Sequence, residues 1–119
     1  MSRTRLAIAG VVLVLFIAAG GTLLYFTTRH QSQNLTFDLA VTHTNTMSPS
    51  TINAHVNDTI TINIKSDTDG EVHLHVYDIP FETKAGQTVS HTFKAAQTCH
   101  CLIEWESTSR QLGFLDVTP

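Results

Sequence analysis

The chain has 119 residues, room for about one folded domain, and carries seven Lys and Arg against ten Asp and Glu. All ten acids lie at or beyond Asp38, so from residue 31 onward four bases face ten acids and the net charge is −6, which excludes a basic nucleic-acid surface. Two cysteines, Cys99 and Cys101, exclude the multi-bridge framework that staples small secreted domains.

Residues 1–5 are short and polar, with Arg3 and Arg5. Residues 6–26 read LAIAGVVLVLFIAAGGTLLYF, about 21 positions without a charge, enough helix to cross a hydrocarbon core of about 30 Å. The basic pair ahead of this run places the N-terminus in the cytoplasm and the rest outside it, with Tyr25 and Phe26 at the far interface. A cleaved signal peptide is the rival reading, with Ala18, Ala19 and Gly20 as the small residues, but the run outlasts an ordinary signal core. Either way the remainder is exported. The expectation is a single-pass membrane protein whose domain, residues 35–119, hangs outside the cytoplasm on a polar linker, 27–34.

Beyond the linker the pattern switches to period two. Leu35, Phe37, Leu39 and Val41 alternate with polar or small residues, as in a half-buried strand. Residues 45–51, with Ser48, Pro49 and Ser50, read as a loop. Ile60, Ile62 and Ile64 form a second strand that ends at the turn cluster SDTDG, 66–70. Val72, Leu74 and Val76 alternate with His73, His75 and Tyr77 in the next, which stops before Pro80. After the Ala85-Gly86-Gln87 turn, Val89, His91 and Phe93 share a face; Cys101, Ile103 and Trp105 share another, and 112–117 supplies the closing strand. No helical period follows the anchor. This spacing of short strands predicts an all-β Greek-key sandwich or small barrel.

The segments NDTITINIKSDTDGEVHLHVYD (57–78), KAGQTVSHTFKA (84–95) and IEWESTSRQLGFLDVTP (103–119) together resemble the cupredoxin-like domain family. The likeness covers about 60 residues, looks closest to membrane-anchored and periplasmic members, and extends more distantly to the copper domain of cytochrome oxidase subunit II. It implies a Greek-key β-sandwich and a possible copper cofactor. Family copper sites take one His from the middle strand and a Cys, a His and usually a Met from the loop before the last strand. His73 or His75 can fill the first role. The loop EWESTSRQLG, 104–113, has no Cys, His or Met, so the blue-copper and dinuclear sites cannot be assembled from matching positions. Tyr77 and Asp78 match the family pattern, whereas Val76 stands where Gly is common.

Candidate metal ligands are His73, His75, His91, Cys99 and Cys101, with His100 in reserve. Cys99 and Cys101, at i and i+2 of an extended segment, point to one side and can chelate a soft ion such as Cu(I). On a strand their Cα atoms lie roughly 6 to 7 Å apart and a bridge between them is strained, so they are read as thiols, either metal ligands or small core residues. His73 and His75 share a strand face and can reach one Cu or Zn ion, or they simply face solvent. His91 lies on the core parity and joins the two sulfurs if its strand runs near theirs. Asp67, Asp69 and Glu71 fit a turn; Glu104 and Glu106 are read as solvated charges. No serine, histidine and acid arrangement with a nucleophile elbow is present, so no enzyme is expected.

The function expected is a membrane-tethered copper-binding domain for storage or delivery, working on a neighbouring membrane protein. A metal-free accessory or interaction domain of an exported or membrane complex is the alternative.

Overall fold

The alternating pattern resolves into nine strands among residues 30–119, the part of the chain that a computed structural model describes. The expected membrane-spanning segment, 6–26, lies outside the described residues. In chain order the strands are β1 (Asn34–Thr42), β2 (Thr46–Ser48), β3 (Thr51–His55), β4 (Thr59–Ser66), β5 (Gly70–Leu74), β6 (Ile79–Thr83), β7 (Thr88–Lys94), β8 (Cys99–Trp105) and β9 (Arg110–Thr118). A short 3-10 turn, Glu106–Thr108, links β8 to β9.

The strands form two sheets, β2-β1-β4-β7 and β3-β9-β8-β5-β6. Two pairings are parallel, β1 with β4 and β3 with β9; the others are antiparallel. Each sheet buries one face, because alternate residues point the same way. Ile60, Ile62 and Ile64 of β4 pack with Val72, Leu74, Phe81, Ile103, Trp105 and Leu115 in one buried cluster. The predicted two-layer β-sandwich is what the strands build.

Close approaches explain two glycines. A Cβ at Gly70 would overlap the ring of Trp105, and one at Gly113 would overlap the Ser50 carbonyl. That carbonyl accepts the Phe114 N–H at 2.9 Å, which pins the 49–50 bend against β9.

Four strands depart from the sequence expectation. Residues 45–51, expected as a loop, hold β2 and the start of β3. β3 pairs in parallel with β9, which lies more than fifty residues away in the chain and leaves no local signal. β6 includes Pro80, and it forms because it is the edge of its sheet and needs no outward amide. The strand expected to carry both His73 and His75 ends at Leu74, so His75 opens the turn to β6.

That turn holds Val76 at φ 73° and Asp78 at φ 54°. The left-handed region disfavours a β-branched side chain, which gives a backbone reason for Gly being common at this position in the family. Tyr77 fastens the turn by donating its hydroxyl to the Gln97 carbonyl at 2.6 Å, and its ring packs on Phe93.

Candidate metal centre

Val72 and Leu74 are buried, so Glu71 and His73 must face outward from β5. In β8 the same parity sends Cys101, Ile103 and Trp105 inward and Glu104 outward, and register sets His73 opposite Glu104. The 3-10 turn after Trp105 folds Glu106 back over β5. Three residues from two distant segments thereby converge: donor atoms of Glu71, His73 and Glu106 all lie within 4.8 Å of one another.

The imidazole of His73 is mostly covered, with 18% of its side chain exposed. Its Nδ1 lies 3.6 Å from Glu106 Oε2 and 4.0 Å from Glu71 Oε2. Its Nε2 lies 3.1 Å from Asp78 Oδ1. Two ligands held about 2.1 Å from a shared ion stand about 3 to 4 Å apart, so the spacing around Nδ1 suits a cation between imidazole and carboxylates. The opposite nitrogen faces the exposed carboxylate of Asp78, in the place where a ligating imidazole commonly finds an acceptor.

His75 is a neighbour of this group. Its ring centroid lies 4.7 Å from that of His73, as the shared-face expectation requires. Its Nε2 donates to Glu104 Oε1 at 2.6 Å, and its backbone N–H donates to the Leu102 carbonyl at 2.9 Å. The strip thus holds two imidazoles among four carboxylates, those of Glu71, Asp78, Glu104 and Glu106. Such a surface attracts cations.

The other candidates fall elsewhere. Cys99 and Cys101, expected as thiols, form a disulfide. The expectation assumed a fully extended strand; the segment is contracted to a Cα separation of 5.2 Å, inside the range a bridge accepts. His91 belongs to β7, in the sheet opposite that of the cysteines. It meets the Phe81 ring edge-on with centroids 4.9 Å apart, and no ligand group among the described residues joins it to the sulfurs. It keeps the inward parity yet is exposed, because β7 is a sheet edge. His100 stacks on Phe114 and bonds Asp116 on the outer face of β8 and β9. Met47 is buried in the core.

The turn acids divide. The Asp67 carboxylate accepts the His43 N–H at 3.0 Å, which together with the Thr68 hydroxyl holds its pKa below the usual range. Asp69 accepts the Ala85 N–H at 2.7 Å, so turn chemistry accounts for both. Glu71 leaves the turn for the His73 group. Glu106, read from the sequence as a solvated charge, stands in the loop before the last strand, and its sequence neighbourhood gives no sign that it meets His73.

No family model and no curated protein matches the sequence. Solved structures do match the backbone. A copper binding protein determined in solution in its apo form aligns over 75% of this chain and 92% of its own, at TM-score 0.61 and 10% identity. The fold is cupredoxin-like. Auracyanin B aligns with this cupredoxin-like chain over 76% of it and 94% of its own length, at TM-score 0.55 and 10% identity. A chain from the cryo-EM structure of a heme-copper terminal oxidase dimer aligns over 97% of this chain and 99% of its own, at TM-score 0.53 and 14% identity. At such identities the likeness is one of architecture. Within it, the cupredoxin-like domain brings a middle-strand histidine, His73, against the loop before the last strand, and the donor that loop offers is the carboxylate of Glu106.

Proposed function

We propose that this chain is a membrane-tethered, copper-binding cupredoxin-like domain that works outside the cytoplasm in storage or delivery. The observation that carries the reading is His73, whose Nδ1 faces Glu71 and Glu106 while Nε2 is held by Asp78. One imidazole and two carboxylates are borderline-to-hard donors, which select divalent copper or zinc, with copper the tighter of the two. The soft thiolate and thioether of a tuned electron-transfer centre are absent from the loop before the last strand, so the cargo is held rather than cycled.

The uncharged run at 6–26 behind Arg3 and Arg5 supports tethering and export. The Cys99–Cys101 disulfide suits an oxidising compartment. A near neighbour in the same membrane is the natural recipient, because the seven residues 27–33 ahead of β1 reach roughly 25 Å at most when extended.

The test is a Cu(II) titration of the full chain in detergent, followed by equilibrium dialysis and electron paramagnetic resonance. One ion per chain with nitrogen and oxygen ligation, lost in His73→Ala, is the expected result. No copper retained at micromolar concentration sinks the reading, and so does unchanged affinity in His73→Ala.

A second reading is a metal-free accessory subunit of a membrane complex. It is favoured by the near end-to-end alignment with a chain of a heme-copper terminal oxidase dimer. It predicts that the purified chain binds no copper and that His73→Ala leaves its co-migration with a membrane complex unchanged.

A further inference from the structure

The Cys99–Cys101 bridge has a placement that a structural staple would not choose. It joins residues two apart in the chain, both within β8. That strand is already laddered to β9, with Cys99 opposite Val117 and Cys101 opposite Leu115. A disulfide restrains the unfolded chain more as its loop lengthens, and this one closes the shortest loop the pair allows. It ties a strand to itself and connects no two elements. The two residues also differ in access: Cys101 is fully buried, whereas Cys99 is half-buried, with its Sγ 3.9 Å from the Leu115 carbonyl.

We propose that Cys99 and Cys101 are a reversible dithiol/disulfide couple, and that the reduced pair is a second metal site, selective for a soft monovalent ion such as Cu(I). A thiolate of an external dithiol reductant attacks the accessible Sγ of Cys99. The S–S bond breaks, the Cys101 sulfur leaves with the bonding pair and takes a proton, and a mixed disulfide joins Cys99 to the reductant. The second thiol of the reductant then attacks its own sulfur in that mixed disulfide and releases Cys99. Two electrons and two protons have moved to the cysteines, and the reductant has become a disulfide. The released Cys101 thiol is at home in the core, since free Cys is among the most buried residue types. The fold therefore survives reduction.

In the oxidised state neither sulfur is a thiolate, and the pair offers no metal donor. In the reduced state two thiols on one side of β8 lose their protons to a soft cation. The device is independent of the His73 cluster: the donors are of opposite softness and the residues are not shared. Copper capture at the sulfurs is gated by the redox state of its surroundings, whereas the imidazole and carboxylates are always available.

The experiment uses the full chain in detergent, without oxygen, equilibrated across buffers of reduced and oxidised dithiothreitol. In one aliquot thiols are counted by alkylation under denaturing conditions and mass spectrometry; a second, unalkylated aliquot is freed of dithiothreitol and offered Cu(I) in competition with a chromophoric Cu(I) chelator. Reduction is expected to yield two thiols in one step, both counted after denaturation, and to move the thermal midpoint by no more than about 10 °C. Cu(I) affinity is expected to rise at least about 100-fold on reduction and to stay unchanged in His73→Ala. Equal Cu(I) affinity in the two redox states overturns the proposal, as does unfolding on reduction, which would make the bridge a staple. Loss of Cu(I) in His73→Ala also overturns it, by moving the soft ion to the histidines. The comparison of redox states needs no cysteine variant, so a folding failure in Cys99→Ser or Cys101→Ser cannot obscure the result.

Discussion

The outer faces of the two sheets are built on the same alternation and carry opposite chemistry. On the four-stranded sheet many of the outward residues are short hydroxyl and amide side chains that bond one another, or the carboxylate of Asp38, across the ladder. Thr61 and Thr92 share a hydrogen bond at 2.8 Å, Asn63 donates to Asp38 at 2.9 Å, and Ser90 donates to Asn63. On the five-stranded sheet part of the outward face is a cluster of imidazoles and carboxylates centred on His73. Polar groups spent on one another close a surface, whereas clustered titratable donors leave it reactive toward cations. The sandwich supports both because the core beneath them is continuous and indifferent to what its outer faces carry.

The largest change comes from breaking that core under the reactive face. Gly70→Ala sets a methyl group into the Trp105 ring, which lies between Glu104 and Glu106 in the chain. Such overpacking is expected to cost about 2 to 3 kcal/mol in denaturant unfolding and to loosen the cluster. A variant as stable as the parent would show that Trp105 can move aside.

A second test sets the faces against each other directly. Glu106→Gln is expected to weaken Cu(II) binding about 10- to 100-fold, while Asn63→Ala on the opposite sheet leaves it unchanged. Calorimetric titration of the two variants reads the difference, and equal losses would deny the five-stranded face its special role. Asp78→Asn keeps the shape and removes the charge behind His73, so an effect near the lower end of that range is expected.

Val76→Gly sharpens the comparison from the stability side. Removing a β-branched residue from φ 73° relieves the backbone, and a gain of about 1 kcal/mol is expected by thermal unfolding. Metal affinity should not follow. The smallest effect concerns Asp67, whose folded-state pKa lies below its usual value because the carboxylate accepts the His43 N–H and the Thr68 hydroxyl. A depressed carboxylate contributes stability above its unfolded pKa and loses it as pH falls through the folded one. Asp67→Asn should therefore lower the unfolding midpoint at neutral pH, with the difference fading in acid, below the ordinary carboxylate pKa of about 4.

Much of this architecture was readable residue by residue. The alternation in β1, β4, β5 and β8 announced both strands and inward faces, since period two is a local property of the extended backbone. The adjacency of His73 and His75 followed from the same rule. β2 and β3 were hidden by their shortness and by a parallel partner far along the chain, and β6 by a proline that only an edge strand tolerates. The carboxylate half of the candidate site was hidden as well, because Glu71 and Glu106 are 35 positions apart and meet only when the turn after β8 folds over β5.

By itself the sequence determined the β class, the acidic character of the domain, the uncharged run at 6–26, and the lack of soft donors in the loop before the last strand. Composition and short-range period suffice for such properties. Tertiary structure decided which outward residues become neighbours, that His91 sits in the sheet opposite the cysteines, and that Cys99 and Cys101 come close enough to bond. Those outcomes depend on ladder register, strand order and local contraction of the backbone. Contacts between distant segments set the first two.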